Sequence, residues 1–132
     1  MNDKITILII DDEIVSRYTI ESSLDSEAYT LVSAENGEQA LEKIEVIKPD
    51  IVLLDVMMPG MNGFEVCRRL RAYPEFAHLP IIMVTAWDDP IARARCLEMG
   101  ATEVICKPLN HKDLIAIVSQ FTQSQPQNSQ NV

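Results

Sequence analysis

A chain of 132 residues with 47% hydrophobic and 23% charged residues is sized and composed for one globular domain with a core of its own. Its net charge of −9 argues against a nucleic-acid surface, which needs clustered Lys and Arg, and favours a divalent cation or a basic partner. No apolar run approaches the ~20 residues of a membrane helix, and Met1-Asn2-Asp3-Lys4 lacks the basic-then-apolar layout of a secretory signal.

Ile5–Ile10 is apolar apart from Thr6 and reads as a buried strand ending on Asp11-Asp12-Glu13. Ile14 to Leu24 has weakly helical spacing, and Asp12 or a neighbour is placed to cap that helix. Tyr29–Ala34 is a second, less apolar strand suited to a sheet edge. Asn36-Gly37 turns into a helix with Ala40, Leu41, Ile44 and Ile47 inward, stopped at Lys48-Pro49. Ile51–Leu54 is apolar throughout, as a strand covered on both faces must be, and Asp55 stands at its end before the Pro59-Gly60 turn.

Asn62 is a cap for a helix carrying Phe64, Cys67 and Leu70 on one stripe, and Tyr73-Pro74 ends it. Pro80 leads into the strand Ile81–Val84, closed by Thr85. Asp89-Pro90 is a strong helix start, and Gly100 a left-handed stop after Met99. Glu103–Cys106 is a short last strand before Lys107-Pro108. Asn110 caps a final helix with Leu114, Val118 and Phe121 on one side. From Gln120 onward Gln, Ser, Asn and Pro dominate, so a frayed tail or linker is expected.

Five strands alternating with five helices imply an α/β fold, a parallel sheet covered on both faces, in the open order 2-1-3-4-5. Ligands of such sheets bind beyond the strand C-termini, where the winding reverses. There the order gathers Asp11 and Asp12, Asp55, Thr85 and Lys107. Close carboxylates repel unless a cation is present, and an oxygen-only set without His or Cys suits Mg²⁺. A metal, an ammonium and a hydroxyl around one carboxylate make a setting for phosphoryl transfer, with Asp55 as nucleophile forming an acyl phosphate. Each element alone is commonplace; their joint placement on four of five strand ends carries the argument.

In these residues the chain resembles the receiver domains of two-component response regulators, the CheY-like fold, a flavodoxin-like (βα)5 three-layer sandwich. The resemblance rests on Leu8–Glu13 (LIIDDE), Ile51–Gly63 (IVLLDVMMPGMNG), Ile81–Ala86 (IIMVTA) and Gly100–Leu109 (GATEVICKPL), and runs over residues 4–121. It implies a receiver domain over residues 1–121 and a flexible tail or linker over 122–132. It implies that Asp55 accepts phosphate from a sensor histidine kinase or a His phosphotransfer protein. Asp12 and Asp55 would ligate Mg²⁺ with the Met57 main-chain carbonyl, and Asp11 would act largely through water. Lys107 would contact the phosphoryl group, Thr85 would swing toward it, and Lys107–Pro108 is a candidate cis bond.

The implied role is a switch rather than an enzyme, with self-phosphorylation and autodephosphorylation at Asp55 as its only chemistry. A downstream effector protein or domain would read it, with homodimerisation on activation as one route and no direct nucleic-acid or membrane contact. Two departures stand out. Val104 occupies the position, three residues before the lysine, where members usually carry Tyr or Phe, so aromatic switching is in doubt. The readout is then expected from Thr85, the loop after it and the helix from Asp89. Trp87 sits two residues past Thr85, as loop packing, as a lid over the acyl phosphate, or as an anchor for a partner.

The alternatives are an Mg²⁺-dependent aspartyl-phosphate phosphatase or phosphotransferase and a phosphorylation-independent interaction module. The enzyme would place a second Asp two residues after the nucleophile, where this chain has Met57. A nucleotide or flavin binder would need a Gly-rich loop where Asp11-Asp12 stands. Cys67, Cys96 and Cys106 form no C-x-x-C and read as buried, inert thiols of a reducing compartment, so the location expected is cytoplasmic. His78 and His111 read as solvated.

Overall fold

The computed structural model describes residues 4–122. The elements alternate as β1 (Ile5–Ile10), α1 (Ile14–Ser23), β2 (Tyr29–Ala34), α2 (Gly37–Ile47), β3 (Ile51–Asp55), α3 (Gly63–Arg71), β4 (Ile81–Thr85), α4 (Pro90–Glu98), β5 (Glu103–Cys106) and α5 (His111–Thr122). A 3₁₀ turn, Pro74–Phe76, lies between α3 and β4. All strand pairs are parallel and the sheet order is β2-β1-β3-β4-β5, as the alternation of elements predicts. β2 is at one edge, consistent with its more polar sequence.

Two cores explain why the central strands carry no alternation. Leu8, Ile10, Val52, Leu54, Ile81 and Met83 face α2, α3 and α4, meeting Ala40, Ile44, Val66, Leu70 and Cys96. Their neighbours Ile7, Ile9, Ile51, Leu53 and Ile82 face α1 and α5, meeting Ile20, Leu24, Leu114 and Val118. With helices on both sides, every position of β3 and β4 is buried, and each large aliphatic side chain contributes about 1.5–3 kcal/mol.

The capping signals behave as read at Asn62 and Asp89, whose side chains accept from Glu65 and Ala92 N–H, and Asn36, read only as a turn, caps α2 by accepting from Gln39 N–H. Asn110 accepts from Lys112 N–H at 2.8 Å. α1 departs from this pattern. Its N-cap is Glu13 with no side-chain bond, and the Glu13 N–H is taken instead by Asp11 Oδ1 at 2.9 Å. Of the two adjacent carboxylates, the first turns back to the helix start while the second is left to the rim.

α2 stops at Lys48-Pro49 as expected: Lys48, the residue before the proline, turns left-handed (φ 50°) with its N–H closing on Ile44 O. α5 continues past Gln120 to Thr122, whose hydroxyl donates to Val118 O at 2.6 Å. The rest of the expected tail lies outside the described residues. Among the described residues no helix is long and apolar enough to cross a membrane.

Candidate phosphoacceptor site

The register sets Ile10 beside Leu54, Asp55 beside Val84 and Thr85 beside Cys106, so the residues after β1, β4 and β5 arrive around the end of β3. Asp11, Asp55 and Thr85 are all buried there. Asp11, Asp12 and Asp55 each offer one carboxylate oxygen, and these oxygens lie within 4.8 Å of one another. Lys107 Nζ stands 3.6 Å from Asp55 Oδ1 and 3.9 Å from Asp11 Oδ2. The Lys107 N–H is anchored on Thr85 O at 2.8 Å, and the Lys107–Pro108 bond is cis as the resemblance implied.

Three carboxylates against one ammonium leave the pocket short of positive charge. Burial, and then the charge of Asp11, push the Asp55 carboxyl up to about 6, although Lys107 and a main-chain hydrogen bond from Met57 pull the other way. Asp12 Oδ1 is buried without a hydrogen-bond partner. An oxygen in that state costs about 1–3 kcal/mol or more when charged, unless something cationic meets it. A divalent cation among oxygen ligands satisfies both anomalies at once, so the residues present fit such an ion.

Thr85 Oγ1 accepts the Trp87 N–H at 2.9 Å, tying the site to the loop that leads into α4. Trp87 is 43% exposed and borders two hollows. One, of about 500 Å³, runs along Val56, Met57, Met58 and Phe64. The other, of about 260 Å³, lies under the loop against Thr85, Arg93 and Val104. Val104 is buried but does not fill that second hollow.

Cys67 and Cys96 are buried as expected, whereas Cys106, on the last strand beside the rim, is only half-buried. Burial pushes the Cys67 thiol up to about 11 and raises that of Cys96, so neither is a ready nucleophile. His78 and His111 are exposed, as expected. The sequence did not single out Ser16, Arg17 or Gly63. Ser16 Oγ donates to Asp11 Oδ2 at 2.5 Å and Arg17 Nη1 to Asp11 O at 2.8 Å. Gly63 donates its N–H to Val56 O at 2.9 Å, seating α3 on the end of β3. No sequence signal marked Ser16, which lies near the start of α1 and meets Asp11 only once the chain is folded.

A parallel sheet with this acidic, ammonium-bearing rim defines a class, and the comparisons agree with it. The model of the response regulator receiver domain matches residues 7–119, and the chain belongs to that family, the receiver domains of two-component systems. It is 40% identical over 116 residues to the response regulator PleD of Caulobacter vibrioides, covering 88% of this chain and 26% of PleD. It is 38% identical over 118 residues to the alkaline phosphatase synthesis transcriptional regulatory protein PhoP of Bacillus subtilis, covering 89% of this chain and 48% of PhoP. The chain thus spans about a quarter to a half of the length of these relatives.

Among solved structures, the chemotaxis response regulator CheY4 of Vibrio cholerae superposes with a TM-score of 0.84 at 29% identity, covering 89% of this chain and 98% of CheY4. The signal receiver domain of a signal transduction histidine kinase from Syntrophus aciditrophicus gives 0.83 at 30% identity, covering 92% of each chain.

Proposed function

We propose that Asp55 is the phosphoryl acceptor of this receiver domain and that its donor is a phosphohistidine on a sensor kinase or phosphotransfer protein. The P–N bond to the donor imidazole breaks as an Asp55 carboxylate oxygen bonds to phosphorus, and the imidazole leaves with its electron pair and takes a proton from solvent. The observation that carries this reading is the buried Asp55 carboxylate held 3.6 Å from Lys107 Nζ within a three-carboxylate cluster.

Asp12, with its partnerless Oδ1, and Asp55 would hold Mg²⁺ together with the Met57 carbonyl, while Asp11 would act through water. The ion, when bound, neutralises charge on the phosphoryl oxygens. Lys107 pairs with the added charge, and Thr85 supplies a hydroxyl proton to a phosphoryl oxygen. Turning Thr85 disturbs its bond from Trp87 N–H, so the loop and α4 follow and a partner surface changes. Val104 leaves no aromatic to move in its place, which makes the loop the readout. Met57, where a hydrolase would need its second Asp, supports a switch over an enzyme with small substrates. Residues 1–121 would act as the unit and 122–132 as tail or linker, in a cytoplasmic protein read by an effector.

Incubation with a small-molecule phosphodonor and Mg²⁺, followed by intact mass measurement, tests this. One phosphoryl group should be gained with metal, none without it, and none in Asp55→Asn. Unchanged uptake in Asp55→Asn would overturn the assignment. In the same assay Trp87→Ala is expected to shorten the lifetime of the phosphoryl group severalfold, because Trp87, tied to the site by its N–H on Thr85 Oγ1, would screen the acyl phosphate from water. An unchanged lifetime returns Trp87 to loop packing.

A further inference from the structure

We propose that Ser16 is a positioning residue of this site, acting through Asp11 to keep Lys107 available to Asp55. The inference rests on the phosphoacceptor reading above and extends it to a residue on α1 that touches neither metal nor phosphate.

Asp11 is buried, and both its oxygens have work to do. Oδ1 accepts the Glu13 N–H at 2.9 Å, and Oδ2 accepts the Ser16 hydroxyl at 2.5 Å. The main-chain carbonyl is held as well, by Arg17 Nη1 at 2.8 Å. The first turn of α1 therefore fixes Asp11 from three sides, whereas Asp12 Oδ1 beside it has no partner. The two neighbouring acids are unequal by construction: one is tied to protein donors, the other is left to meet a cation directly.

Lys107 decides what Ser16 is for. Its ammonium lies 3.9 Å from Asp11 Oδ2 and 3.6 Å from Asp55 Oδ1, beyond hydrogen-bond distance of both. A buried carboxylate oxygen that loses its donor seeks another, and Lys107 is at hand. Without the Ser16 hydroxyl, Lys107 closes on Asp11 and withdraws from Asp55. With Oδ1 still on the Glu13 N–H and Oδ2 paired to Lys107, the charge of Asp11 is spent on the ammonium, which weakens the cluster's hold on the ion. Groups behind a metal's direct ligands typically change affinity by about 10- to 100-fold when lost.

The test is a titration of the metal-free protein with Mn²⁺, counting free ion by its electron paramagnetic resonance signal. It compares wild type with Ser16→Ala, Ser16→Cys and Ser16→Thr, with thermal melts to confirm folding. Ser16→Ala and Ser16→Cys are expected to bind about tenfold more weakly. Ser16→Thr, which restores the hydroxyl, should bind as wild type does. Wild-type affinity in either hydroxyl-free variant overturns the role of Ser16 and leaves the phosphoacceptor reading intact, as does a Thr variant as weak as Ala. No uptake by the wild type overturns the metal reading itself, and this inference with it.

Discussion

Replacing Asp55 by asparagine is expected to raise the stability of the metal-free protein at pH 7 while abolishing phosphoryl uptake. The Asp55 carboxyl sits at about 6 in the folded chain against 3.8 for the free group, because burial and Asp11 disfavour its charge. Between those two values the folded protein binds a proton that the unfolded chain has released. Stability therefore falls as pH rises through this window, and the full cost of the buried charge is present above about pH 6. A shift of this size corresponds to roughly 2–3 kcal/mol. The asparagine variant escapes it, less whatever the amide loses in hydrogen bonding, so a gain of about 2 kcal/mol and a Tm higher by several degrees are expected at pH 7.

The advantage should shrink as pH is lowered toward 4, where wild-type Asp55 is protonated as well. Comparing the two proteins at each pH removes the contribution of the other acidic residues. Mg²⁺ should close the gap from the other side, since an ion at about a hundred times its Kd stabilises a protein by about 2.7 kcal/mol. Thermal melts over pH 4–8, with and without Mg²⁺, measure all of this. An asparagine variant less stable than wild type at pH 7 would mean that Asp55 is not held in a charge-poor pocket.

Gly63→Ala is expected to damage both fold and site, and more than any other glycine in the chain. A Cβ at Gly63 would lie 2.4 Å from the Asp55 carbonyl oxygen and 2.7 Å from Val56 Cα. Both are main-chain atoms of the strand end that carries the acceptor, so no side chain can yield. α3 must move off β3, losing the Gly63 N–H bond to Val56 O and shifting Asp55. A loss of about 3 kcal/mol and a fall in phosphorylation rate are expected, read by denaturant unfolding and by mass. Gly60 is the control. Its φ of 74° makes alanine strained, but nothing lies within 4 Å of its Cβ, so about 1–2 kcal/mol and an unmoved site are expected.

This glycine also shows what a sequence can and cannot convey. The strands were legible because a sheet covered on both faces demands unbroken apolar runs, and β3 and β4 supply them. Asn62 and Asp89 were legible because caps are local chemistry. The convergence of Asp11, Asp12, Asp55, Thr85 and Lys107 followed from topology alone, once the order of the strands was inferred.

Three-dimensional distance was the part that stayed hidden. Gly63 reads as an ordinary first residue of α3, and only the approach of that helix to β3 makes a side chain impossible there. Asp11 and Asp12 are equivalent as capping candidates in the sequence. Only the structure shows Asp11 held by the Glu13 N–H and the Ser16 hydroxyl while Asp12 Oδ1 has no partner. Composition turns polar at Gln120, yet Phe121 stays on α5 as its spacing foretold, and Thr122 is buried with its hydroxyl satisfied within the helix.

The central claim is that folding builds, around Asp55, a pocket that makes this one carboxylate the acceptor of a phosphoryl group. Borohydride reduction tests it most directly, because it converts an acyl phosphate to the corresponding alcohol and leaves free carboxylates untouched. After treatment with phosphodonor and Mg²⁺, peptide mapping should find homoserine at position 55 and nowhere else, and none when the metal is omitted. Homoserine at position 11 or 12, or at no position at all, would contradict the account.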